Sequence, residues 1–178
     1  MTDTIATIQA ELSPRRILVD SAIVSAVSGV TIGAVLRYNP AILHDDFPPA
    51  IQARAQPMTP RDKRQRLVVT VPFVATLIGI PVWSTLKLKR ENGGRLHLGT
   101  AMINAYAVGA LANLFDLVVL DYLIGVRLRP TFAMLPGTEG MDEYGDVQFH
   151  VRGFFKGLAY MVIPSLLIAW LTTRRSRA

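Results

Sequence analysis

The chain has 178 residues, about one domain's length, of which 51% are hydrophobic and 18% charged, with 19 Lys and Arg against 13 Asp and Glu. That balance is too apolar for an ordinary soluble domain, and the absence of cysteine excludes disulfides, thiolate metal sites and cysteine nucleophiles. The formal net charge of +6 sits in blocks that flank apolar runs, which points to anionic lipid head groups; no aromatic platform accompanies the basic clusters, so nucleic acid is not a partner.

In chain order, residues 4–12 come first, with Ile5, Ile8 and Leu12 at helical spacing. They read either as a short helix on a membrane surface or as a plain structured terminus. Ser13-Pro14-Arg15-Arg16 faintly echoes a twin-arginine signal, but the apolar run that follows is too long for a signal core and no A-x-A site closes it. That run, 17–36, is interrupted only by Asp20. A proline-rich loop, 37–66, ends in the basic cluster Arg61, Lys63, Arg64 and Arg66. The second run, 67–86, has no charge. A short basic loop, 87–97, contains an Asn92-Gly93-Gly94 turn. The third run, 98–124, carries Asp116 and Asp121. A second long loop, 127–152, is acidic in its middle, and the fourth run, 153–171, carries Lys156 before a basic tail through Arg174, Arg175 and Arg177.

Each apolar run approaches or exceeds the roughly 20 helical residues that cross about 30 Å of hydrocarbon. None alternates as a strand would, and only helices and closed barrels satisfy their backbone in lipid. The predicted fold is all-α: a single membrane domain, 1–178, built as a four-helix transmembrane bundle with two long loops on one side. There is no internal repeat. Both termini and the short loop share the other side. Lys and Arg are almost evenly divided between the two sides, and the basic segments that hug the membrane most closely place the termini in the cytoplasm. Trp83 and Trp170 fall near the termini-side ends of their helices, at aromatic-belt positions.

Small residues predict how the helices pack. Ser25, Gly29 and Gly33 repeat every four residues on the first span, and Ala101, Ala105, Gly109 and Ala112 form a stripe on the third. At about 100° per residue, Asp116 falls within about 20° of Ala105 on that stripe, whereas Asp121 falls on nearly the opposite face. An ionisable side chain at a helix centre in lipid costs about 2.5–3.5 kcal/mol on the lenient insertion scales, so Asp116 is the most informative residue of the chain. It either fixes packing through an interhelical hydrogen bond or ion pair, with Lys156 as natural partner and Arg127 or Arg129 as alternatives, or serves a proton or ion relay or a substrate. Asn113 and Tyr106 lie beside the same stripe. Pro72, Pro81 and Pro164 invite kinks inside the second and fourth spans.

The loop before the fourth span holds Glu139, Asp142, Asp146 and His150. Asp142, Asp146 and His150 are spaced by four, so one helix would align them, and carboxylates with imidazole can bind a divalent ion or share acid–base work. Gly145 weakens that helix, and a solvated acidic loop salt-bridged to Arg127, Arg129 and Arg152 is the plainer reading. No zinc or calcium spacing is present, so no metal is assigned. His97 lies on the opposite side of the membrane from His44 and His150, which argues against a bis-His haem, and no cofactor is assigned. There is no glycine-rich phosphate loop, no G-x-S-x-G, and no aspartate-rich motif of lipid head-group transferases.

Asp116 through Asp121-Tyr122-Leu123, then Leu135-Pro136-Gly137-Thr138-Glu139-Gly140, then Phe149-His150 and Gly153-Phe154, resembles a group of small prokaryotic multi-pass membrane proteins without an assigned activity. The resemblance covers about the C-terminal third. It implies no activity, only that the carboxylate end of the third helix and the loop after it form one unit; the expected location is the prokaryotic cytoplasmic membrane. Three functions are consistent with these residues: a non-enzymatic accessory subunit or small-solute or ion handler acting as an oligomer or in a larger complex; a membrane-embedded enzyme on an amphiphilic or lipid-linked substrate, using the carboxylates and His150 of the 127–152 loop; and a purely structural partner. Membrane lipids are partners in all three.

Overall fold

A computed structural model describes residues 2–174; Arg175 and Arg177 of the basic tail lie outside the described residues. The chain is all-α, with no strand among those residues. Helix α1 (Thr2–Glu11) leads into α2 (Pro14–Tyr38). A 3-10 helix (Pro40–Asp46) and the short α3 (Pro49–Arg54) follow, then α4 (Pro60–Glu91). Helix α5 (Leu98–Phe115) continues directly as a π-helix (Asp116–Leu128). Two 3-10 turns, Thr131–Ala133 and Asp142–Gly145, precede α6 (Val147–Thr173).

Four helices, Pro14–Tyr38, Pro60–Glu91, Leu98–Leu128 and Val147–Thr173, are long and apolar enough to cross a membrane. Their outward residues suit hydrocarbon: Val30 is 73% exposed and Val68 and Ile163 are each 67% exposed, an arrangement that water would penalise and lipid accommodates. This is the architecture of an integral membrane protein.

The helices run past the apolar segments because polar residues cap them. Helix α4 starts before residue 67 through a capping box: the Asp62 amide donates to Thr59 Oγ1 at 3.2 Å, and the Thr59 amide donates to Asp62 Oδ2 at 2.9 Å. Helix α6 starts before residue 153 because Asp146 Oδ1 accepts from the Phe149 amide at 3.0 Å. At the other end of α4 the chain turns through Gly93 (φ 68°) and Gly94 (φ 80°), left-handed conformations in which a side chain is strained. Glu11 Oε2 accepts from the His97 amide at 2.9 Å and from Thr100 Oγ1 at 2.6 Å, so the end of α1 supplies a carboxylate to the start of α5. Helix α4 runs unbroken through Pro72 and Pro81, and α6 through Pro164.

The chain forms two compact units. The first comprises Met1–Ser25, Ala75–Asn113 and Lys156–Ala178. Here Val24, Val108 and Ala112 form a core with Ile17 and Ile80, so α2, α4 and α5 meet. Ala101 and Ala105 are buried. A Cβ on Gly109 would stand 2.7 Å from Met161 Sδ, which shows how closely α5 and α6 approach. Arg16 pairs with Glu91, and Lys89 Nζ donates to the Thr172 carbonyl at 2.7 Å, capping the end of α6. Lys87 lies 5.0 Å over Trp83 and Arg174 3.1 Å over Trp170.

The second unit comprises Ala26–Val74 and Leu114–Phe155. Gly29 meets the Phe115 ring, at 3.5 Å from where a Cβ would sit. The two long loops pack on each other: Ile51, Leu135 and Tyr144 form a core with Phe47, Ala55, Met134 and Met141 around it. Tyr144 ties this core down. Its hydroxyl accepts from the Leu135 amide at 2.9 Å and meets Thr138 Oγ1 at 2.6 Å, while Thr138 Oγ1 donates to the Leu135 carbonyl at 2.7 Å. Because Thr138 spends its hydrogen on that carbonyl, the Tyr144 hydroxyl is the donor to Thr138.

Tyr144→Phe leaves the buried Leu135 amide without its acceptor. We expect a loss of about 1–3 kcal/mol, read as a lowered thermal midpoint of the purified protein in detergent. An unchanged midpoint would mean that the loop core does not depend on this hydroxyl.

Candidate functional site

Asp116 stands where α5 widens. In an α-helix, residues five apart diverge by about 140°. In a π-helix the bonds run from i to i+5, as in the 2.9 Å bond from the Arg129 amide to the Ile124 carbonyl, so each turn holds more residues than an α-turn and residues five apart diverge far less. Asp121 therefore falls on the same side of the helix as Asp116. The sequence placed the two on nearly opposite faces because it assumed α-helical rotation throughout; the π-helix corrects this. Arg129 ends the segment in a left-handed conformation (φ 44°), with its Nε donating to the Val126 carbonyl at 2.7 Å.

Asp121 Oδ1 lies 3.1 Å from Nδ1 of His150, which the Asp146 cap places in the first turn of α6. Asp116 lies within electrostatic reach of Asp121, His150 and also Asp46. Asp46 ends the 3-10 helix that Asn39 positions: Asn39 Oδ1 accepts from the Ala41 amide at 3.2 Å, and Asn39 Nδ2 donates to Asp62 Oδ1 at 2.8 Å and to Gln65 Oε1 at 2.9 Å. Beside it, Asp45 is paired with Arg66.

Electrostatics separates the two loop carboxylates. The hydrogen bond from Arg66, then that from His44, holds Asp45 below the usual carboxylate range. Asp46 is exposed, yet the protein atoms around it thin its hydration enough to raise its carboxyl; Arg66 opposes the rise, while Asp45 and Asp121 add to it.

The site thus joins Asp46, Asp116, Asp121 and His150. The Asp121 carboxylate calls for a proton on Nδ1 of His150, which leaves Nε2 as the basic face of the ring. His150 also lines an apolar groove of about 190 Å³ with Leu117, Val118, Tyr122, Val126, Val147 and Val151. No set of three or more His, Cys, Asp or Glu is arranged to hold a metal ion among the described residues.

The other sequence candidates stand elsewhere. Glu139 is exposed and accepts from the Gly137 amide at 2.9 Å within its turn. Asp142 and Asp146 are exposed, and no single helix carries both with His150, because the chain changes direction at Gly145–Asp146. Asn113 is half-buried, and Gly157 makes room for it: a Cβ there would meet Asn113 Oδ1 at 2.9 Å. Lys156 is exposed and belongs to the first unit. Ser25 and Ala112 are buried. Gly33 lines a groove of about 200 Å³ with Leu36, Arg37, Leu120, Ile124 and Phe132.

Asp46 carries no signal in the sequence beyond the adjacent His44-Asp45-Asp46 of the proline-rich loop. Asp20 and Asn104 are both buried in the first unit, a placement that a lone polar residue in an apolar run does not announce.

The chain matches no protein-family model, no curated protein and no solved structure. Its class rests on its own geometry: an integral membrane protein of four apolar helices.

A raised carboxyl has a definite sign. The folded state binds a proton that the unfolded state releases, so the stability contributed by Asp46 is full below the ordinary carboxylate value and is lost as pH rises through the raised one. Asp46→Asn should therefore raise the thermal midpoint at neutral pH, and the gain should vanish on acidification below the carboxylate range. A gain of the same size at both pH values would rule out ionisation as its cause.

Proposed function

We propose that this protein is non-enzymatic and handles protons at the site formed by Asp46, Asp116, Asp121 and His150. The observation that carries the reading is the 3.1 Å contact of Asp121 with His150 next to two further carboxylates. Carboxylates that feel one another's charge share protons as a group, and an imidazole among them can accept a proton from one and pass it to another. Ionisable residues within apolar helices commonly belong to ion or proton pathways. Four helices are few for a transporter working alone, so the protein acts as a homo-oligomer or within a larger membrane complex. Its membrane is the prokaryotic cytoplasmic membrane, with both termini in the cytoplasm. The basic flanks, Arg61, Lys63 and Arg64 among them, meet anionic head groups, and the pairing of Trp83 with Lys87 and of Trp170 with Arg174 supports an interface at the termini side.

The apolar groove beside His150 favours a second reading. An enzyme acting on an amphiphilic substrate could seat an acyl chain there and use the Asp121–His150 pair as a base. The exposed Glu139, Asp142 and Asp146 give this reading less support, since they cap and close turns instead of converging on the groove.

Reconstitution in vesicles loaded with a pH-sensitive dye separates the two. Under an imposed pH gradient the wild type should carry protons, and Asp121→Asn and His150→Gln should each lower the flux about tenfold or more, while Tyr122→Phe leaves it unchanged. Flux no greater than that of empty vesicles would sink the proposal; chemical turnover of vesicle lipid that is lost with His150→Gln would favour the enzyme.

A further inference from the structure

The second unit carries a groove that the site above does not use. It lies between the end of α2 and the π-helix and holds about 200 Å³. Gly33 and Leu36 line it from α2, Leu120 and Ile124 from the π-helix, and Phe132 from the 3-10 turn that follows. Arg37 completes the lining and is its single charged residue. The four residues from the two helices are half-buried, whereas Phe132 and Arg37 are exposed.

Gly33 opens the groove. One turn earlier α2 is in contact: a Cβ on Gly29 would stand 3.5 Å from the Phe115 ring. A Cβ on Gly33 would meet nothing within 4 Å. The helices therefore touch at Gly29 and have parted by Gly33. An unfilled gap costs its lining dispersion contacts, and an apolar lining gives water no partners. On a membrane-spanning helix, the medium that fills such a gap is hydrocarbon.

The groove runs from that hydrocarbon to the membrane boundary. No charged residue lies on α2 between Asp20 and Arg37, and α2 ends at Tyr38, which is exposed at head-group level. Gly33 lies one turn, about 6 Å, inside Arg37. The Arg37 side chain forms no ion pair or hydrogen bond among the described residues. Carboxylates of the adjoining segment are engaged elsewhere: Asp45 with Arg66, and Asp62 with Thr59 and Asn39. The cation that acts on Asp46 is Arg66. An apolar slot that ends at a free guanidinium matches the order of groups in a phospholipid, acyl chain and then phosphate. The planar fork of arginine suits phosphate oxygens. No carboxylate lines the groove to receive the ammonium of a zwitterionic head group, which favours a lipid of net negative charge.

We propose that this groove binds one anionic phospholipid, with an acyl chain along Gly33, Leu36, Leu120 and Ile124 and the phosphate on Arg37. The site shares no residue with the Asp46, Asp116, Asp121 and His150 group and does not rest on the function proposed for it. It also differs from the basic flank of Arg61, Lys63 and Arg64, because it holds a lipid by chain and head group together.

The test uses the whole protein in detergent, mixed with phosphatidylglycerol or with phosphatidylcholine of the same acyl chains and followed by native mass spectrometry. The wild type should retain one phosphatidylglycerol per chain about tenfold more strongly than phosphatidylcholine, and Arg37→Gln should abolish that preference. Gly33→Leu places a side chain in the open groove and should lower retention of both lipids. Equal retention of the two lipids by the wild type overturns the proposal, and that comparison needs no variant, so a misfolded substitution does not blunt it. Retention of phosphatidylglycerol that is unchanged in either variant also overturns it. Retention that falls with Arg61→Gln and Arg64→Gln but not with Arg37→Gln places the lipid on the basic flank, with the same consequence. A dimer that Gly33→Leu dissociates would mean that a second copy fills the groove, which overturns the lipid as its occupant.

Discussion

Hydrocarbon offers no hydrogen-bond partner, so each polar side chain in an apolar helix must find one within the protein or hold a charge at considerable cost. The helices here meet that constraint in two ways. Where hydroxyls and amides are available they form local pairs, as Asn104 does with Ser84 and Thr85. Asp121 instead lies where helix nears loop, so that it reaches His150, with Asp46 supplied by the loop and Arg66 by the first turns of α4. Small residues make this possible: Ala101 and Ala105 bring α5 against its neighbours closely enough for short polar side chains to reach across.

The π-helix solves a related problem. A continuous α-helix through residue 128 would turn Asp121 away from Asp116 and toward hydrocarbon. Widening the turn from Asp116 onward places both carboxylates on one side, at the expense of poorer backbone geometry. Such segments commonly mark functional positions, and this one begins at the first carboxylate and closes at Arg129, whose left-handed backbone and hydrogen bond to the Val126 carbonyl stop the helix.

Hydropathy made the four spans legible, because burying some 20 apolar residues admits few alternatives to a membrane helix. The helix ends were not, because they depend on single polar groups: Thr59 with Asp62 extends α4, and Asp146 extends α6, through charged stretches that hydropathy reads as loop. The Asn92-Gly93-Gly94 turn was readable because glycine adopts those left-handed angles without the strain a side chain brings. Asp121 could not be placed, since its direction depends on whether the helix has α or π geometry. Asp46 was hidden for a different reason: nothing in a proline-rich loop indicates which helix end it will fold against. Only a long-range packing core, Ile51 with Leu135 and Tyr144, brings the two loops together.

The two polar groups differ in kind. Asn104 with Ser84 and Thr85 is neutral, and its hydrogen bonds tie α5 to α4 without changing any charge. Asp46, Asp116 and Asp121 bring three carboxyls within electrostatic reach of one imidazole, while Arg66 answers Asp45. Neighbouring carboxylates disfavour one another's ionisation, so the protons of such a group are coupled. A neutral network holds helices together at any pH, whereas a coupled group of carboxyls also responds to pH. That contrast is why the proposed proton handling is placed on the carboxylate–histidine group and not on Asn104.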